Sequence, residues 1–120
     1  MKKRILVVEN DTDLREILAI ILEEEGYQVK VFGREKEIFS HIRDFQPHVI
    51  LLDIIHPTIE GTELCRSIKA AENTKDIPVI VLSTHLKIES VKQICADEVV
   101  PKPFDVSQLL KVIEGELIED

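Results

Sequence analysis

Residues 49–53 read Val-Ile-Leu-Leu-Asp. Four apolar side chains run without a break, and a carboxylate closes the run. A strand with one face in water alternates apolar and polar residues, whereas a strand covered on both faces does not. The stretch therefore predicts a strand inside a sheet that is layered on both sides, with an acid at its carboxyl end. Ile5–Val8 and Val79–Leu82 have the same character. Tyr27–Phe32 alternates and carries Lys30, which suits an edge strand. Glu98–Val100 is a fifth, weaker run.

Helical patterns lie between these runs. Asp11 or Thr12 can cap a first helix with Leu14, Ile17, Leu18 and Ile21 on its inner face, ending near Gly26. Ile38, Ile42 and Phe45 fit a second, closed by Pro47. Leu64, Ile68 and Ala71 fit a third, beginning after Gly61. Ile88, Val91 and Cys95 fit a short fourth. Asp105 can cap a fifth carrying Leu109, Ile113 and Leu117. Gly115 inside that helix costs about 1 kcal/mol relative to Ala and weakens its last turn. Strand and helix thus alternate five times. Such alternation with right-handed crossovers gives a parallel sheet with helices on both faces. Five strands are too few for a barrel of about 250 residues. The class is α/β, a doubly wound three-layer (βα)5 sandwich, and residues 1–120 read as one domain.

Composition narrows the function. The 120 residues are 44% hydrophobic and 32% charged, which argues against disorder. The longest apolar run, Ile17–Leu22, is far short of the roughly 20 residues that cross a bilayer. The basic start Met-Lys-Lys-Arg leads into only four apolar residues before Glu9, too few for a signal peptide. A cytoplasmic location is expected, without membrane attachment. Fifteen basic against 23 acidic side chains leave a net charge of −8. That disfavours direct nucleic-acid binding by this domain, which depends on Lys and Arg neutralising phosphates. Cys65 and Cys95 form neither a metal motif nor a disulfide framework, and are expected as small buried hydrophobes with free thiols.

Ligands of such sheets sit beyond the carboxyl ends of the strands. Glu9, Asn10 and Asp11 follow the first run, Asp53 ends the third, Ser83 and Thr84 follow the fourth, and Lys102, Pro103 and Phe104 follow the fifth. Singly, each has an ordinary explanation as a cap or a loop residue. Together they gather acids, an amide, a hydroxyl and an ammonium at one edge. Carboxylate and amide oxygens suit Mg²⁺. A carboxylate beside the metal can attack phosphorus and form an aspartyl phosphate. The metal and a lysine then neutralise the phosphoryl oxygens.

The segments Ile5-Leu-Val-Val-Glu-Asn-Asp11, Val49-Ile-Leu-Leu-Asp-Ile-Ile-His-Pro-Thr-Ile-Glu-Gly61, Pro78-Val-Ile-Val-Leu-Ser-Thr84 and Pro101-Lys-Pro-Phe-Asp105 resemble the receiver domain of two-component response regulators. The resemblance spans essentially the whole chain. It implies a flavodoxin-like sheet of order 2-1-3-4-5. It implies Asp53 as phosphoacceptor, and Mg²⁺ held by Glu9, Asn10, Asp53 and the backbone carbonyl of Ile55. Ser83 would be the switch hydroxyl and Lys102 the phosphate-pairing lysine. Pro57, Gly61 and Pro103, the last after a cis bond, are structural at the site. Ile55 and His85 hold the positions that tune hydrolysis in this family. Asp11 is a metal helper or only a helix cap.

The chain also departs from the family pattern. Glu9-Asn10 stands where two aspartates are usual, so the metal site has one charge fewer. Val99 replaces the usual aromatic ring of the fifth strand. The interval from Ser83 to Lys102 is short for the family, and the deficit falls on the fourth helix. The implied function is phosphoacceptor signalling, switched through Ser83 and Lys102, and not a turnover enzyme. The implied partners are a sensor histidine kinase or phosphotransfer protein, and a downstream protein or fused output domain. Ile20 on the flank of the first helix and Ala19 on its far side offer a docking surface, or a broadened core face. A degenerate receiver that binds partners unphosphorylated is the alternative. An aspartyl-phosphate phosphatase fits poorly, because Asp53 is followed by Ile54-Ile55 and no second acid. A flavin-binding flavodoxin lacks its phosphate-cradling loop after the first strand.

Overall fold

Successive residues of a strand point to opposite faces of the sheet. In β1 (Arg4–Val8), Leu6 and Val8 enter one buried cluster while Ile5 and Val7 enter another. β3 (Val49–Asp53) repeats the pattern, with Ile50 and Leu52 on the first side and Val49 and Leu51 on the second. So does β4 (Val79–Ser83), where Val79 and Val81 oppose Ile80 and Leu82. Three central strands with both faces buried explain the unbroken apolar runs. β2 (Gln28–Phe32) and β5 (Glu98–Pro101) are the edges, and all pairings in the order β2-β1-β3-β4-β5 are parallel. These relations come from a computed structural model that describes residues 2–33, 37–55, 58, 61–85 and 88–117. Pro57 lies outside the described residues.

The helices cover the two faces unequally. α1 (Thr12–Glu24) and α5 (Val106–Leu117) close one cluster through Leu18, Leu22, Leu109 and Ile113. α2 (Ile38–Phe45), α3 (Glu63–Ala70) and α4 (Glu89–Ile94) lie over the other. Each fully buried Leu or Ile contributes about 1.5–3 kcal/mol relative to an exposed one. Asp11 caps α1, its carboxylate accepting the Leu14 N–H at 3.1 Å. Gly26, at φ 93°, ends it in the left-handed conformation that glycine adopts freely. Asp105 accepts the Ser107 N–H at 2.8 Å at the start of α5, which runs through Gly115 to Leu117.

Four expectations need correction. The inner stripe of α1 is Leu18 and Leu22 with Leu14 half-buried, while Ile17 is 50% exposed. Spacing i, i+4, i+8 meets the sheet squarely, and Ile17 falls to its flank. Ala19, expected on the far side, is half-buried. In α3 the buried residues are Cys65 and Ile68, and Ala71 is the C-cap rather than part of the stripe. Finally, Cys65 and Cys95 are not free thiols but are bonded to each other, with Cα atoms 5.8 Å apart, inside the range a disulfide spans. Adjacent helices on one face bring them together, a proximity that spacing in sequence does not encode.

One polar anchor matters for the sheet. Asp97, just before β5, accepts the Val79 N–H and the Lys69 ammonium on one oxygen, each at 2.8 Å. Lys69 also donates to the Ile77 carbonyl at 3.0 Å. α3, the start of β4 and the start of β5 are thereby tied at one point.

Candidate functional site

The carboxyl ends of β1, β3, β4 and β5 lie side by side, so the residues that follow them share one edge. Glu9 donates its N–H to the Phe32 carbonyl at 2.9 Å, which fixes the exit of β1. Its side chain turns inward and the residue is 1% exposed. Glu9 Oε2 accepts the Asp11 N–H at 3.0 Å. Glu9 Oε1 lies 2.8 Å from Lys102 Nζ. The two form an ion pair, but its angle leaves that buried oxygen without a well-directed hydrogen bond. Lys102 Nζ also donates to Asp53 Oδ1 at 3.0 Å. Both side chains are largely buried, so the three charges interact through little water.

Electrostatics follow from that burial. Loss of hydration pushes the Glu9 carboxyl above its ordinary value. The Lys102 contact and the Asp11 N–H oppose the rise, and the Asp53 charge adds to it. Burial works against the Lys102 ammonium, yet its close contact with Glu9 and its hydrogen bond to Asp53, with their charges, hold it above its ordinary value. Lys102 is therefore a fixed cation between two acids.

The remaining site residues are placed as follows. Lys102 donates its N–H to the Ser83 carbonyl at 2.8 Å, and the bond to Pro103 is cis. Ser83 is buried, and its Oγ accepts the His85 N–H at 3.1 Å. His85 is half-buried. Asn10, Asp53 and Ile55 line one cleft of about 940 Å³, floored by Val8 and Leu52. Ile55 is 58% exposed at its mouth. Gly61 also borders it and donates its N–H to Thr58 Oγ1 at 3.0 Å. Asp11 sits beside Glu9, but its carboxylate is engaged as the cap of α1. Among the described residues no three His, Cys, Asp or Glu side chains gather as a metal cluster. The available donors are instead two carboxylates, the Asn10 amide and a backbone carbonyl. That all-oxygen set suits Mg²⁺, and Glu9 Oε1, paired with Lys102 but without a well-directed hydrogen bond, has a lone pair left to offer a metal.

A model of the family described as response regulator receiver domain matches residues 5–114. The chain belongs to that family. The DNA-binding response regulator MtrA of Mycolicibacterium smegmatis is 31% identical over 98% of this receiver, which spans about half (51%) of MtrA's length. A putative response regulator from Chloroflexus aurantiacus shares the fold, with TM-score 0.86 at 24% identity over 98% of both chains. The response regulator TrrA of Thermotoga maritima, solved in complex with Mg²⁺-BeF, has TM-score 0.81 at 31% identity, covering 96% of this receiver and 99% of TrrA. Phosphoacceptor signalling in two-component systems is accordingly the role of this receiver. Among its described residues, no helix is long and apolar enough to cross a membrane.

Two features of the site go beyond the sequence pattern. The resemblance sets Lys102 opposite a phosphoryl group, and here it also touches Glu9. The signal for that contact is the extra methylene of Glu over Asp, which lengthens the reach of the side chain. Arg15 of α1 lies across Gly33, where a Cβ would collide with its guanidinium. A side chain at this position would displace the flexible Arg15 guanidinium from where it lies. Nothing in the local pattern pairs these two residues.

Proposed function

We propose that Asp53 accepts the phosphoryl group, and that Lys102 and Ser83 read its presence. The observation that carries this reading is Lys102 Nζ, 3.0 Å from Asp53 and 2.8 Å from Glu9, with Asp53 itself lining a cleft of about 940 Å³. An Asp53 oxygen attacks phosphorus opposite the leaving nitrogen of a phosphohistidine. The P–O bond forms as the P–N bond breaks, and the electron pair stays on the imidazole, which takes a proton from solvent. Glu9, Asn10, Asp53 and the Ile55 carbonyl would hold Mg²⁺, which neutralises phosphoryl oxygens when bound. Lys102 leaves its shared position to pair with one phosphoryl oxygen, and Ser83 turns from the His85 N–H to bond another. A phosphoryl group shifts the population of states only through contacts that differ between them, and these two residues supply such contacts. Because Asn10 brings no charge, Mg²⁺ binds more weakly here than with two acids after β1.

The phosphodonor is a sensor histidine kinase or a phosphotransfer protein. Output passes to a downstream protein or a fused domain, consistent with relatives such as MtrA that are about twice as long. Ile20, 57% exposed on α1, belongs to the kinase-facing surface. The domain acts in the cytoplasm and turns over no substrate other than its own phosphoryl group. The test is incubation with Mg²⁺ and acetyl phosphate, read by intact mass. One phosphoryl adduct is expected, and none on Asp53→Asn. An adduct that survives Asp53→Asn overturns the assignment. No adduct, even with a cognate kinase, would favour the second reading, an unphosphorylated binding module, for which the neutral Asn10 is the supporting observation.

A further inference from the structure

Cys65 and Cys95 take no part in phosphoryl chemistry, yet they link two elements on the face of the sheet that carries α4. Cys65 lies in α3 and is fully buried among Ile68, Val79 and Val91. Cys95 is the C-cap of α4 and only half-buried. The two residues of one bond thus differ in exposure, and attack by an outside thiolate is easier at the less buried one.

α4 depends on this bond more than other helices would. It has six residues, and its N-cap, Ile88, makes no side-chain capping bond. Helices this short are marginal without tertiary support. That support comes from Ile88 and Val91 in the core, from the Lys92–Glu98 ion pair to β5 at 3.1 Å, and from the bridge to α3, while the Cys95 and Ala96 N–H groups close the last turn on the Val91 carbonyl at 2.9 and 3.0 Å. The bridge closes a loop over 30 positions that contains β4, Ser83 and all of α4.

We propose that Cys65–Cys95 is a reversible thiol–disulfide site, entered at Cys95, whose state sets the mobility of α4. In reduction, a small thiolate of the glutathione class attacks the Cys95 sulfur. The Cys65–Cys95 bond breaks, Cys65 leaves as a thiolate, and a mixed disulfide forms on Cys95. A second thiolate attacks that mixed disulfide at the sulfur of the first small thiol and releases Cys95. Two electrons pass from the two small thiols to the protein pair, the two cysteines gain the two protons, and one small disulfide is produced. With the bridge closed, the end of α4 is bound to the rigid centre of α3. With it open, α4 loses its covalent tie to α3 and is held by its apolar contacts, by the bonds at its own C-terminal turn and by the Lys92–Glu98 ion pair to β5. The site therefore couples thiol redox to the segment that follows Ser83, and its chemistry holds whether or not Asp53 is phosphorylated.

The test uses the full 120-residue chain, equilibrated in buffers of reduced and oxidised glutathione, blocked with iodoacetamide and weighed intact. Protein equilibrated in the folded state and then unfolded for blocking should pass from no carbamidomethyl adduct to two as the buffer becomes reducing. An acid-quenched intermediate should carry glutathione on Cys95. Hydrogen exchange should then be at least ~tenfold faster at the Cys95 and Ala96 amides in the reduced protein than in the oxidised one. A Cys65→Ser, Cys95→Ser double variant should exchange like the reduced form in either buffer. Thiols that stay free in oxidised glutathione, a bridge that opens only with denaturant, glutathione trapped on Cys65, or equal exchange in both states would each overturn the proposal. The Asp53→Asn protein should give the same titration, so a failure of the phosphoacceptor reading leaves this result distinguishable.

Discussion

Removing the carboxylate of Asp97 should cost far more than its place near the surface suggests. Its Oδ2 accepts two donors at 2.8 Å, the Val79 N–H and the Lys69 ammonium. Val79 is fully buried, and its N–H has that carboxylate as acceptor. Leaving a buried donor unsatisfied costs about 1–3 kcal/mol. The Lys69 pair is partly exposed, and such pairs contribute about 0.2–1 kcal/mol. Asp97→Ala should therefore destabilise the fold by about 1–4 kcal/mol. Asp97→Asn keeps an acceptor oxygen for Val79 and loses only the charge, so about 1 kcal/mol is expected. Urea denaturation followed by circular dichroism separates the two. The midpoint for Asp97→Ala should fall by about 0.5–2 M at unchanged slope. Asp97→Ala being no worse than Asp97→Asn would mean that the stranded Val79 N–H costs little, and would refute this account of the anchor.

Three further outcomes are expected. Gly115→Ala should stabilise the protein by about 0.5–1 kcal/mol, since a Cβ there meets nothing within 4 Å and the residue lies inside α5; thermal denaturation checks it. Glu9 has a folded pKa above its ordinary 4.5, so the folded state holds this proton more tightly and stability falls as pH rises from about 4.5 through the raised value; in chelator-treated protein Glu9→Gln should flatten that part of the pH–stability curve, and an unchanged slope would count against the buried-acid account. Ile55→Asn should speed loss of the phosphoryl group from Asp53 severalfold, because the apolar side chain at the cleft mouth is replaced by one that orients water; an unchanged decay rate of the phosphorylated mass would refute a shielding role.

The sheet is legible because burial on both faces leaves a plain trace. Val49–Leu52 and Val79–Leu82 cannot be half-exposed strands, and the interrupted Tyr27–Phe32 suits the edge it occupies. The site is legible for a related reason, since parallel strands place their following residues on one edge, and Glu9, Asp53, Ser83 and Lys102 follow successive members. What stays hidden depends on distance in space. The inward stripe of α1 turns on which of two neighbouring rows, Leu18–Leu22 or Ile17–Ile21, meets the sheet, and both rows are apolar. Cys65 with Cys95, Asp97 with Val79, and Arg15 with Gly33 are contacts between elements that no local pattern couples. Glu9 reaching Lys102 rests on a single methylene.

The two apolar clusters on either side of the sheet share no side chain. An evolving lineage can therefore treat them as separate compartments. Substitutions on the outer surface of α1, where Ile17 and Ile20 face solvent, touch a layer anchored by Leu18, Leu22, Leu109 and Ile113. They leave the packing under α3 and α4 as it was. On the proposal that Ile20 faces the phosphodonor, recognition of that partner and the response to it can drift at different rates, and a receiver of this build can be rewired to a new donor without being retuned.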